Sequence, residues 1–408
     1  MVRNERRPPK PAELQRFKVP ADTAEPRILP APSQNRQTGR NISHKLASST
    51  LRAMVQLSSP WYIGDVEIPS RIVLAPMAGV SVQAFRRQGR RFGAGLVCSE
   101  MVSSCGLSYG NERTLGYLRI ARDEHPLAVQ IFGSEPERMA EAAQMVVAAG
   151  ADIVDINFGC PVRKVTKTGA GASALEDHDL ACALAGAVVD AVGVPVSVKM
   201  RRGLRNGSLA ALELGPKLEA IGVASLTLHP RSAQQMYTGT ADHTLTAELV
   251  RRVSVPVIAS GDIGDHAGAE RVLEETGAAA VMVGRGAQGR PWTLRELSQG
   301  SAQEPDRAEV VAELVRFMRE VVREMGEERS VGFLRKFYGW YLRGLEGAKE
   351  LRAQLTQAPS VELAEAMLLD ACPEALPLVA EAEQETALLP DSDSDRLLDL
   401  PISIYGGG

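Results

Sequence analysis

The sequence predicts an α/β protein: a (β/α)8 TIM barrel with a small C-terminal all-helical domain and disordered tails. Eight short apolar runs carry the first observation: RIVLAPMAG (71–79), GLVCSEM (95–101), LAVQIFG (127–133), DIVDINFG (152–159), VSVKMR (196–201), SLTLHPR (225–231), VIASGDI (257–263) and AVMVGRGA (280–287). Second, the segments between them, such as PERMAEAAQMVVAAGA and AGAERVLEETGAAA, repeat apolar residues at i, i+3, i+4 and i+7 and often close on Gly. Third, every run ends in polar or glycine residues: PMAG, SEM, QIFG, NFGC, KMR, HPR, SGDI and GRG. Near-continuous apolar strands separated by helices imply a parallel sheet covered on both faces, and eight units match the size of a barrel. A doubly wound sheet is the structural alternative, but it gives no reason for all eight runs to end alike. In a barrel those ends converge on one rim and form one site.

Residues 1–55 hold eleven Lys/Arg against four Asp/Glu and are rich in Pro, Gln, Asn and Ser without apolar periodicity, which predicts a disordered basic extension. The barrel is expected over 56–300. After the polar linker SQGSAQEPDR (298–307), an Arg-, Lys- and aromatic-rich helical segment marks a second domain over 307–370, followed by an acidic, disordered tail over 371–408. A net charge of −4 gives no global support for nucleic-acid binding, though a basic head can help hold an anionic polymer. The longest apolar stretches are broken by Asp, Gly and Pro well before the roughly 20 residues a bilayer requires, and the N-terminus lacks an apolar core for a secretory signal. Five scattered cysteines without metal-clip spacing suit free thiols in a reducing cytoplasm and no metal site.

On the rim, Gly284, Arg285 and Gly286 after strand 8 and the SGDI stretch after strand 7 suit a phosphorylated cofactor. Glycines let backbone N–H groups approach the anion, and Arg adds charge. No strand-linked GxGxxG with a distal acid is present, so a flavin fits better than a nicotinamide fold. Pro76 and Met77 could lay backbone against one ring edge, Gln130 could bind the pyrimidine-like end, and Lys199 could place positive charge near N1 and O2. His229 is a further donor. Taken singly, a Lys at a strand end is usually solvated and a His usually packed; the joint placement on one rim carries the reading. Cys160 lies just past strand 4, followed by Pro161 and the cations Arg163, Lys164 and Lys167. A lone cysteine is more often an inert buried hydrophobe, but this setting favours an exposed thiol able to donate a proton or attack.

The stretches LAPMAGVSVQAFR, VQIFGSEPERMAEAAQMV, GADIVDINFGCPVRKVTKTGAGASAL, VKMRRG, LTLHPRSAQQMYTGTADH, SGDI, VMVGRGAQGRPW and RKFYGWYLRG occur in this order. Together they resemble the flavin-dependent tRNA-dihydrouridine synthases, most like the bacterial B-type branch, from about residue 60 to about 355. The resemblance implies a barrel binding FMN, a helical domain that helps grip tRNA, and NADPH (or NADH) as reductant. It makes Cys160 the proton donor to a flipped uridine. FMN contacts carry over to Pro76, Met77, Ala78, Gln130, Lys199, His229, Ser260, Gly261, Asp262, Gly284 and Arg285. Asn157, Lys164, Arg201 and Arg231 fall where the family holds substrate base or phosphate. Arg316, Arg319, Arg323, Arg335, Lys336 and Arg343 are candidate RNA contacts on the helical domain, and a monomer is expected.

Two positions depart from the family pattern. Ser260 stands where many relatives carry Asn, and Pro230 stands where Gly is common and removes a backbone donor. The small-residue run TGAGASAL after Cys160 is expected to let the loop pass close to flavin or RNA. Two other functions compete: an FMN barrel reductase of a free pyrimidine, like dihydroorotate dehydrogenase, and a non-catalytic RNA-binding protein or tRNA chaperone. The first has no use for the basic helical domain, and the second predicts loss of the rim residues that are present.

Overall fold

Along eight parallel strands, alternate side chains fall into two separate apolar layers. The computed structural model describes residues 56–300 and 304–387; the expected basic extension 1–55 and the end of the acidic tail lie outside the described residues. The strands are β1 (Ile72–Leu74), β2 (Leu96–Cys98), β3 (Leu127–Phe132), β4 (Ile153–Phe158), β5 (Val196–Arg201), β6 (Ser225–His229), β7 (Val257–Ser260) and β8 (Ala280–Val283). Each pairs in parallel with its sequence neighbours, β8 pairs with β1, and β2 pairs with β3, so the sheet closes into the expected barrel. Outward residues such as Val129, Val154, Ile156, Val198, Leu226 and Val281 pack in a large outer core with the helices. Inward residues at the strand starts, Val73, Leu96, Ala128, Ile153, Ile258 and Ala280, form a smaller inner core.

An antiparallel hairpin, Trp61–Ile63 with Val66–Ile68, precedes β1. Its Trp61, Ile63 and Ile68 join the inner core and so close the N-terminal mouth of the barrel. The hairpin turns at Gly64, whose φ of 58° suits glycine. A two-residue strand, Val102–Ser103, adds to β3.

The covering helices are α1 (Gln83–Arg91), α2 (Pro136–Ala148), α3 (His178–Ala191), α4 (Ala210–Ala220), α5 (Thr244–Arg252), α6 (His266–Thr276) and α7 (Trp292–Gln299). The helical domain follows as α8 (Arg307–Met325), α9 (Glu327–Tyr341), α10 (Ala348–Gln357), α11 (Val361–Ala371) and α12 (Leu376–Ala387). Asp306 opens α8 with a capping box to Glu309, which marks the linker's end. The expected start of a disordered tail at residue 371 is corrected, because helix continues to Ala387. Cys372 after α11, Ala375 in the 3-10 turn Pro373–Ala375 and Val379 of α12 are all buried, an apolar contact that the acidic composition obscured.

The helical domain is seated on α1 through an aromatic cluster. Phe85 of α1 lies 6.5 Å from Phe317 of α8, Phe317 lies 4.7 Å from Phe337 of α9, and Phe337 lies 4.9 Å from Trp340 (ring centroids). Arg91 of α1 bridges Glu320 at 2.7 Å and Glu313 at 3.0 Å on α8. This seating uses up several basic residues expected to face RNA. Arg319 pairs with Glu365 and Glu383, Arg316 with Glu320, and Lys336 donates to the Gly79 carbonyl, leaving Arg323, Arg335 and Arg343 exposed. Phe337→Ala is expected to lower unfolding free energy by about 3–5 kcal/mol in urea denaturation. A change below about 1 kcal/mol would show that the cluster collapses around the void.

Candidate active site

The inward positions of β3 and β4 turn from apolar to polar toward their C-terminal ends, and those of β5 and β6 go from small hydroxyls to charged or aromatic polar groups. Ala128 gives way to Gln130, Ile153 to Asp155 and Asn157, Ser197 to Lys199, and Thr227 to His229. Register makes neighbours of Gln130 and Asp155, of Asn157 and Lys199, and of Arg201 and His229. The candidates on these four strands are thereby brought together on one rim.

Beneath that rim lies a buried hydrogen-bonded network. Gln130 Nε2 donates to Asp155 Oδ2 at 2.6 Å, and Ser197 Oγ donates to Asp155 Oδ1 at 2.6 Å. Asn157 Nδ2 donates to Gln130 Oε1 at 2.7 Å, while Asn157 Oδ1 accepts from the N–H groups of Gly159 (3.0 Å) and Cys160 (2.8 Å). Asn157 was expected to hold the substrate base; both ends of its amide are engaged in shaping the turn that presents Cys160. Burial raises the Asp155 carboxyl to about 6, against the opposing pull of Ser197, Gln130 and Lys199.

Cys160 is half-buried at the rim. Burial pushes its thiol up and outweighs the Val162 N–H, Arg201 and Lys199, which pull it down. The thiol therefore stays protonated near neutrality despite its cationic surroundings. Arg163, Lys164 and Lys167 are exposed and do not figure among the groups acting on it. The run of small residues behind it has a local cause. Gly171, with φ 62°, would place a Cβ 2.9 Å from the Cys160 carbonyl oxygen and 3.2 Å from Cys160 Cβ, so the run yields space to Cys160 itself.

Among the described residues Lys199 has no hydrogen-bond partner for its ammonium, and burial next to Arg201 depresses that group to about 8. His229 is held neutral, its imidazolium depressed to about 2 by burial and by Lys199, Arg201 and Arg231. Arg231 Nη1 faces His229 Nε2 at 3.4 Å, which assigns the ring proton to Nδ1. Arg231 itself is 2% exposed and donates to Asp262 Oδ2 and to the Gly239 carbonyl, both at 2.6 Å. Arg201 is 3% exposed and donates to the Gly159 (3.2 Å), Ser232 (2.9 Å) and Met236 (2.7 Å) carbonyls. Both arginines act here as struts tying the loops after β4, β6 and β7.

The remaining candidates lie around the same rim. Ser260 ends β7 and is buried; Gly261 follows with φ 114°, and a Cβ there would come within 2.9 Å of the His229 ring. Asp262 has φ 54°. Gly284 follows β8 with Met77 and Ala75 across from it, and Arg285 opens a single 3-10 turn, Arg285–Ala287. Pro76 and Met77 are half-buried and Ala78 is exposed in the loop after β1.

Three participants were not singled out from the sequence. Asp155 and Ser197 are polar residues at inward positions inside buried apolar runs, a signal that strand alternation makes readable. Tyr237 is half exposed, with the Arg285 guanidinium 4.4 Å and that of Arg201 5.3 Å from its ring centre. It gave no local signal beyond being an aromatic in a polar loop.

The family profile described as Dihydrouridine synthase (Dus) matches residues 73–376, which include the whole rim. The chain belongs to the dihydrouridine synthase family. It is 40% identical over 305 residues to tRNA-dihydrouridine synthase B of Pseudomonas aeruginosa, covering 72% of this chain and 90% of that protein. It is also 40% identical over 296 residues to the probable tRNA-dihydrouridine synthase of Rickettsia conorii, covering 71% of this chain and 89% of that protein. Among solved structures, histamine dehydrogenase from Rhizobium sp. 4-9 shares the barrel fold, with a TM-score of 0.51 and 12% identity over 65% of this chain and 51% of that one. Among the described residues no helix is long and apolar enough to cross a membrane, and no group of three or more His, Cys, Asp or Glu could hold a metal.

The Lys199 ammonium titrates at about 8 in the folded chain and near 10.5 when solvated. Its charge therefore opposes folding fully below pH 8, and the penalty fades as pH rises from about 8 to about 10.5. Lys199→Met is expected to stabilise the flavin-free protein by up to about 3 kcal/mol at pH 7, with the gap closing above pH 8. Denaturant titrations across that range would contradict this if the variant were less stable at pH 7.

Proposed function

We propose that this chain is a flavin-dependent tRNA-dihydrouridine synthase, reducing the C5=C6 bond of uridines in tRNA, with FMN as cofactor and NADPH (or NADH) as reductant. The observation that carries the proposal is a half-buried, protonated Cys160 thiol presented by Asn157 on the barrel rim, in a chain of this family. The residues present suit FMN. A Lys199 ammonium without a hydrogen-bonding acceptor suits the electron-rich pyrimidine end of a flavin, and neutral His229 has an N–H to give. Gly261, Gly284 and exposed Arg285 at consecutive strand ends suit its phosphate.

When bound and reduced, FMN supplies the hydride that adds to C6 of the uracil ring, an electrophilic carbon because charge can flow to the C4 carbonyl. Cys160 then gives its proton to C5 of the resulting enolate, and the thiolate is reprotonated from solvent. Arg201 and Lys199 stabilise that transient thiolate, while burial keeps the resting thiol neutral. A uridine reaches such a site by leaving its stack, at a cost of a few kcal/mol that is smallest in a loop. Exposed Lys164 beside Cys160 and Arg335 and Arg343 on the helical domain suit the tRNA backbone. Tyr237, flanked by Arg201 and Arg285, offers a ring face at the mouth. The relatives named for acting on tRNA favour this reading over reduction of a free pyrimidine. We further propose a cytoplasmic monomer.

Nucleoside mass spectrometry of tRNA from cells with and without the gene should show loss of dihydrouridine at one or more positions; an unchanged count at all positions contradicts the proposal. Cys160→Ala is expected to bind FMN as the parent does and to lose about 10²- to 10⁴-fold in turnover on unmodified tRNA. Parental turnover would move the acid role elsewhere.

A further inference from the structure

The loop joining β1 to α1, which carries Pro76, Met77 and Ala78, is held from outside the barrel. Lys336 of α9 donates from Nζ to the Gly79 carbonyl, and the Glu100 carboxylate beyond β2 accepts from the Gly79 N–H. Gly79 has φ 73°, so one left-handed residue is gripped through both its backbone polar groups by side chains of opposite charge. Lys336 is itself fixed, its ammonium 4.1 Å from the Phe333 ring centre and 5.3 Å from that of Phe337. Three residues past Gly79, Val82 is the N-cap of α1 and supplies no side-chain cap. The first donors of α1 go instead to Glu324 at the end of α8: Gln83 N–H to Oε1 at 3.0 Å and Ala84 N–H to Oε2 at 2.9 Å. A carboxylate there also meets the positive end of the helix dipole.

We propose that Lys336 and Glu324 are positioning residues for the cofactor-contacting loop 75–84, so that the C-terminal helices complete the flavin site of the barrel as well as offering surface to tRNA. The inference rests on the assignment of Pro76, Met77 and Ala78 to FMN made above. It gives Lys336 a role that its place in the basic stretch RKFYGWYLRG does not suggest. It also requires that disturbing α8 or α9 be felt at the flavin.

The test uses the full chain with Lys336→Met, Lys336→Arg and Glu324→Gln, and three readouts. Lys336→Met should weaken FMN binding, measured by flavin fluorescence titration, by about tenfold or more, the loss expected for one charge-assisted hydrogen bond. In the flavin-free protein the same change should speed amide hydrogen exchange within 76–84 and leave strands β3 to β7 as protected as in the parent. Affinity for an unmodified tRNA transcript should stay within about threefold. Lys336→Arg should restore part of the FMN affinity, and Glu324→Gln, which keeps one acceptor oxygen, should show a smaller loss in the same direction. It also serves if Lys336→Met does not fold. Unchanged exchange at 76–84 overturns the clamp. Faster exchange with parental FMN affinity overturns the assignment of this loop to flavin while leaving the clamp. A tenfold loss of tRNA affinity with FMN binding intact places Lys336 on the RNA and overturns the proposal.

Discussion

The Asp155 carboxylate holds three strand ends of the barrel in one arrangement. Its two oxygens accept from Gln130 on β3 and Ser197 on β5, and Gln130 in turn fixes Asn157 on the same strand as Asp155. An unpaired carboxylate in this position would be strongly disfavoured by burial, and a half-satisfied network would be worse than an apolar one. The donors are placed so that both oxygens are served, and the amide of Asn157 is thereby left with one orientation. That orientation points its oxygen at the N–H groups of Gly159 and Cys160. The Cys160 thiol is thus located by a chain of hydrogen bonds anchored in the barrel interior.

The same arrangement explains how a thiol among cations stays protonated. Desolvation acts on the thiolate more strongly than the Val162 N–H, Arg201 and Lys199 favour it. Arg201 and Arg231 contribute mostly as struts, because a guanidinium can donate to several carbonyls at once and so bind loops from different strands. The rim is therefore rigid where it holds the cysteine and open where Arg285 and Tyr237 are exposed.

The barrel was legible because parallel strands covered on both faces appear as short apolar runs, and all eight recur at the expected places. The site was legible as a set of strand-end residues, since the register brings Gln130, Asn157, Lys199, Arg201 and His229 together. What each does was less so. Arg201, Arg231 and Asn157 look like ligand contacts in sequence, yet their partners are carbonyls and N–H groups of loops distant in the chain. Gly171 looked like clearance for a ligand, and the atom it clears is the Cys160 carbonyl. Lys336 and Arg319 belong to a basic stretch, but tertiary packing places one on the Gly79 carbonyl and the other between two glutamates. Composition alone made residues 371–387 an acidic tail; the burial of Cys372, Ala375 and Val379 needed a partner helix to become apparent.

If the burial-raised Cys160 thiol is the proton donor, its ionisation governs the pH dependence of a single turnover. Pre-reduced enzyme mixed with excess unmodified tRNA should convert uridine at a rate that holds from about pH 6 to pH 7; loss of the Lys199 charge near pH 8 adds a shallow fall common to parent and variants, and the limb that belongs to Cys160 sets in only as pH passes the ordinary thiol range near 9. That alkaline limb should be missing from the residual activity of Cys160→Ser, whose hydroxyl does not ionise there. A limb falling between pH 6 and 7, or one that persists unchanged in Cys160→Ser, would contradict the account.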